Sequence, residues 1–127
     1  MKILKWLARI IAALIMLQTL FFKFSSAEES VYIFTKIGME PWGRYGSGIA
    51  ELIASILLLI PKYTLRGALI GAMVMIGAIA SHLGPLGIEV LNDEGYLFTL
   101  ACIVFLCCII LIYLERKDFK SLFKLKP

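Results

Sequence analysis

The sequence predicts an all-α membrane protein, a bundle of four transmembrane helices with a short amphipathic interfacial helix in the first outer loop. Three observations predict it. Hydrophobic residues make up 61% of the 127 residues and charged ones only 17%, beyond the roughly half apolar content of ordinary soluble domains. The excess is concentrated in four apolar runs near membrane length, at about 4–22, 43–60, 65–83 and 96–114. Basic residues flank these runs, so the net charge of +4 reads as membrane flanks and excludes a nucleic-acid surface. A single integral membrane domain, 1–127, accounts for the length.

In the first run, Lys2, Lys5 and Arg9 precede IIAALIMLQTLFF. The pattern also resembles a secretory signal with Ser25-Ser26-Ala27 as a small-residue cleavage site. Its removal would leave an odd number of spans, so it is read as the first transmembrane helix. Gln18 lies in its second half and Lys23 closes it, either as a snorkelling anchor or turned inward. In the loop 24–45, Ser26-Ala27-Glu28-Glu29 matches a capping box. Val31, Phe34 and Ile37 then recur at helical spacing and Gly38 stops the helix, which suits a short helix lying at the membrane surface. Pro41-Trp42-Gly43 turns into the next span, with Trp42 and Tyr45 suited to the headgroup region.

The second run, GSGIAELIASILLLI from Gly46 to Ile60, holds one carboxylate, Glu51. A lone acid in such a run is costly and normally has a partner in a protein interior or wet cavity. Gly46, Ala50 and Ala54 form a stripe of small residues for close helix contact. Ser47, Glu51 and Ser55 form a polar stripe beside it. Pro61 ends the helix, and Lys62 to Arg66 make a basic turn. The third run is rich in small residues, among them Gly67-x-x-x-Gly71, a helix-packing signature. His82 sits at its far end, before Gly84-Pro85. The second loop, Gly84 to Gly95, carries only acidic charges: Glu89, Asp93 and Glu94. The fourth run carries Thr99 and all three cysteines, Cys102, Cys107 and Cys108. No CxxC pair and no Cys/His metal spacing is present, so these thiols are expected to be reduced, small apolar side chains. A basic tail closes the chain.

Charge sets the expected topology. With both termini cytoplasmic, the inner side holds ten of the 13 basic residues and the outer side only Lys23, Lys36 and Arg44, a strong positive-inside bias. Gln18, Lys23, Ser47, Glu51, His82, Tyr96 and Thr99 then all fall in the outer half of one bundle, and the inner half has no unusual polar group within the spans. Glu51 and His82 are expected to approach each other, His82 ranking above Lys23 because a lysine can escape to the headgroups. The set could line an outward-facing ligand pocket, with Glu51 and His82 handling protons, or form a polar clasp that fixes helix packing.

The pattern resembles the DoxX-like family of small four-span membrane proteins. The matching pieces are Phe22-Lys23, Ile37-Gly38-Met39-Glu40-Pro41, Gly48-x-x-Glu51 and Gly77-Ala78-x-x-x-His82, in order over roughly residues 10–114. The resemblance implies a membrane location, expected to be the bacterial inner membrane, and a link in some members to sulfur and quinone redox chemistry or to oxidative-stress assemblies. The wider superfamily includes a chaperone of receptor assembly. Three functions follow as expectations. One is a redox- or quinone-associated membrane subunit, with quinone as the cofactor and no haem, flavin or iron–sulfur motif. A second is an assembly or chaperone-like factor that docks another membrane protein or a second copy of itself in the bilayer. The third is a small-solute transporter, for which no inverted repeat is visible.

Overall fold

The computed structural model describes residues 2–25, 28–84, 87 and 95–118. All regular structure among them is helical: α1 (Lys2–Phe24), α2 (Glu28–Lys36), α3 (Trp42–Leu59), α4 (Thr64–Leu83) and α5 (Tyr96–Leu114), with short 3-10 turns at Pro61–Tyr63 and Arg116–Asp118. Three stretches, Lys2–Phe24, Pro61–Leu83 and Tyr96–Leu114, are long and apolar enough to cross a membrane. The expected second span, α3, is not among them, because Arg44, Ser47 and Glu51 occupy its first half. Ser26 and Ala27 of the expected capping box, the acidic loop residues Glu89, Asp93 and Glu94, and the basic tail beyond residue 118 lie outside the described residues.

The helices form a ring in which α1 packs on α3 and α5, and α4 packs on the same two. Small side chains let them approach. Ala8, Ala12, Ala54, Ala68 and Ala72 meet Met16, Leu58, Val104, Cys108 and Leu111 in the core. Outside this core the apolar surface turns outward: Ile3 is 77% exposed, Phe21 69% and Met73 71%. A soluble fold would bury such residues, whereas a bilayer covers them.

Gly67 shows why the third run needs small residues. A Cβ placed there would stand 2.7 Å from the Leu58 backbone nitrogen and 2.8 Å from the Ala54 carbonyl oxygen, so α3 and α4 touch backbone to backbone. Gly71 instead faces Cys108 and Met16, so the two glycines serve different neighbours. The expected stripe Gly46, Ala50, Ala54 holds only at its end. Ala54 is fully buried, while Gly46 is exposed with nothing near it. Four residues advance an α-helix by about 400°, so such a stripe drifts off one face within two steps. The cysteines are free thiols, with Cys107 and Cys108 buried.

α2 forms as its spacing predicts and ends as its glycine predicts. Gly38 has φ +79°. The Met39 N–H donates to the Phe34 carbonyl at 2.7 Å and the Gly38 N–H to that of Thr35 at 3.1 Å. This is a Schellman closure, with glycine in the left-handed position. It sends the chain back toward α3 and lays Phe34, 8% exposed, over the end of α1.

Candidate functional site

α1 and α3 run antiparallel, and each supplies an arginine to the other's last turn. The final carbonyls of a helix lack intrahelical partners and favour a cation. Arg9 of α1 donates from Nε to the Leu58 carbonyl of α3 at 2.6 Å. Arg44 of α3 donates from Nη1 to the Lys23 carbonyl of α1 at 2.5 Å. Sequence reading placed Arg9 among the flanking charges and left the inner half without an unusual polar group. The structure corrects this, since Arg9 is 3% exposed. A signal existed: Arg9, Ala13, Met16 and Leu20 recur at helical spacing on the buried face of α1.

Arg44 also grips Glu40 in a bidentate pair, Nε to Oε1 at 2.9 Å and Nη2 to Oε2 at 2.8 Å. These hydrogen bonds hold the Glu40 carboxyl below the usual carboxylate range. A lowered pKa in the folded state contributes stability that is fully present above the unfolded value and is lost as the pH falls through the folded one. Melting temperature should therefore decline on acidification below about pH 5 more steeply in the native protein than in Glu40→Gln. Identical acid slopes would remove Glu40 from the explanation.

The Arg44 clamp fixes the last turn of α1, and Lys23 is placed by it. Its Nζ donates to Glu51 Oε1 at 2.8 Å and to Ser47 Oγ at 3.1 Å. Thr19, one turn earlier on α1, has one hydroxyl proton to share between the Met16 carbonyl at 2.9 Å and the same Glu51 oxygen at 3.3 Å. Both charges are withdrawn from the surface, with side-chain exposures of 14% for Lys23 and 4% for Glu51.

The partner of Glu51 is therefore Lys23, and the ranking of His82 above it is reversed. The Phe34 ring lies 5.6 Å from the ammonium, and the lysine side chain is turned inward with only 14% exposure. No hydrogen bond joins His82 to Glu51. His82 is buried, donates from Nδ1 to the Gly87 carbonyl at 2.9 Å and sets its ring edge-on to Phe98. In the neutral ring that bond leaves the lone pair on Nε2.

Glu51 and His82 nevertheless share one cavity of about 520 Å³ at the α2 end of the bundle. Its walls come from all five helices and are mostly apolar. Gln18, Lys23, Ser47 and Tyr96, all singled out from sequence, line it with them. Thr99 does not: it is exposed on another face of α5. Thr19 was missed, although its four-residue spacing from Lys23 puts both on one face of α1. Ser55, the third member of the expected polar stripe, is fully buried and its hydroxyl has no partner among the described residues.

The family model described as DoxX matches residues 4–84, from α1 to the end of α4. The chain belongs to the DoxX family. No curated protein matches it, and no solved structure does. In this DoxX protein the family match contains the Thr19, Lys23, Ser47, Glu51 and His82 side chains. Tyr96, Thr99 and the three cysteines lie beyond it in α5. The part of the cavity with charge thus lies within the matched region, and α5 adds a chiefly apolar wall beyond it.

Proposed function

We propose that this DoxX membrane protein is a redox-associated membrane subunit whose cavity binds a small amphipathic molecule of the quinone class. The observation that carries the reading is the buried Lys23–Glu51 pair in the wall of a cavity of about 520 Å³. Binding pockets of that size are commonly apolar with a few convergent polar groups. A quinone, when bound, supplies a carbonyl head that accepts electrons and protons together. Lys23 offers an ammonium donor to such an oxygen, and Glu51 and His82 are the groups that can hold a proton beside it. The electrons come from a partner subunit, since the chain carries no redox motif of its own.

In this reading α3 is the second of four spans in a single domain, 1–127. Its charges are sheltered because Arg44 is paired with Glu40 and Glu51 with Lys23. Both termini face the cytoplasm by the positive-inside bias, α2 lies at the outer membrane surface, and the cavity opens outward. The family and the charge bias support a bacterial inner membrane location.

A photoreactive quinone analogue tests the function in proteoliposomes. Labelling should map to the cavity segments of α1, α3 and α4 and be competed by unlabelled quinone. Glu51→Gln keeps shape and hydrogen bonding but cannot ionise, and should reduce specific labelling about tenfold, the worth of one charge-assisted hydrogen bond. Full labelling of that variant would favour a second reading, an assembly or chaperone-like factor held by a polar clasp. One feature supports that alternative: Lys23 already pairs with Glu51 within the protein.

A further inference from the structure

At the opposite end of the bundle, a second cavity of about 380 Å³ lies among Lys2, Lys5, Trp6, Arg9, Thr64 and Glu115. Three cations face one carboxylate. Lys5 reaches Glu115 at 3.4 Å, which leaves the recess with excess positive charge. Arg9 is its most constrained member. Its guanidinium is held by the Leu58 carbonyl on one side and stacked at 3.8 Å on the Trp6 ring. Its Nη2 is buried with no hydrogen-bond partner among the described residues. A buried donor without an acceptor is costly, more so on a charged group. The planar fork of arginine matches the oxygens of phosphate.

The geometry points to this recess as a binding site for a phosphate oxyanion. Arg9 and the two lysines supply fixed positive charge, and an anionic oxygen would satisfy the Arg9 nitrogen left unpaired. Two sources carry this chemistry: the headgroup of an anionic phospholipid and free phosphate. The surroundings suit the first. Ile3 and Leu7, 77% and 52% exposed on the same turns of α1, offer apolar surface beside the recess for acyl chains. The site depends on neither the Lys23–Glu51 cavity nor the orientation of the protein, because both leaflets present phosphate.

Native mass spectrometry of the full chain tests it, titrating phosphatidylglycerol against phosphatidylcholine with and without millimolar inorganic phosphate. Phosphatidylglycerol should be retained preferentially. Lys5→Gln should weaken retention about fivefold, the effect of one basic residue near an anionic surface. Glu115→Gln removes the competing carboxylate and should strengthen retention by a similar factor, an opposite sign that loss of structure would not produce. Arg9→Gln also uncaps α3, so the Lys5 and Glu115 variants carry the decision. Retention unaffected by inorganic phosphate assigns the site to lipid, and competition by it assigns the site to a soluble oxyanion. Equal retention of the two lipids with no effect of phosphate, or indifference to both substitutions, overturns the proposal.

Discussion

Lys23→Met should cost about 3–5 kcal/mol of stability, the usual consequence of leaving one member of a buried ion pair without the other. The ammonium is the only cation hydrogen-bonded to Glu51 among the described residues, and Glu51 is 3% exposed. The remaining Thr19 hydroxyl is neutral and stands at 3.3 Å. The double variant Lys23→Met/Glu51→Leu should recover most of the loss, since well-packed apolar replacement of a buried pair is often neutral. Denaturant or thermal unfolding in detergent reads both. Failure of the double variant to recover would show that the loss came from packing at Lys23 and not from the stranded carboxylate. Recovery of stability together with loss of quinone labelling would separate the structural part of the pair from its part in binding.

Gly67→Leu should be damaging for a different reason. Its side chain would have to enter where the Leu58 nitrogen and the Ala54 oxygen already lie within 2.8 Å of a Cβ. Backbone cannot swing aside as a flexible side chain can, so α3 and α4 must separate. The expected loss is about 3 kcal/mol, the upper end of ordinary overpacking. It should reach the Lys23–Glu51 pair indirectly, because α3 carries Glu51 and Ser47. Gly77→Leu is the control: among the described residues no atom outside its own helix backbone lies within 4 Å of a Cβ there, and the unfolding midpoint should not fall. Helix propensity favours leucine over glycine at both positions, so equal loss at the two would mean that the α3–α4 contact does not set the cost.

Much of this architecture was legible in the residues themselves. Apolar runs delimited the long helices to within about two residues, because hydrophobic length and proline or glycine breaks act locally. The run 96–114 and helix α5 coincide. Gly38 closed α2 for the same local reason. The polar residues were harder. Sequence identified Glu51 as a residue in need of a partner, because an unpaired carboxylate in an apolar run is disfavoured wherever it points. It could not choose that partner. The choice depended on Phe34 of α2 packing beside the Lys23 ammonium, and on Gly87 and Phe98 holding His82. The Phe34 and Phe98 contacts join separate helices. The reciprocal arginine caps were hidden for the same reason. Arg9 and Arg44 look like flanking charges until the antiparallel pairing of α1 and α3 brings each to the carbonyls that end the other helix. The sequence by itself determined the helices and the residue that must be satisfied. Only the tertiary structure decided which side chains satisfy it, because pairing depends on the angular position of each residue and on which elements cover it.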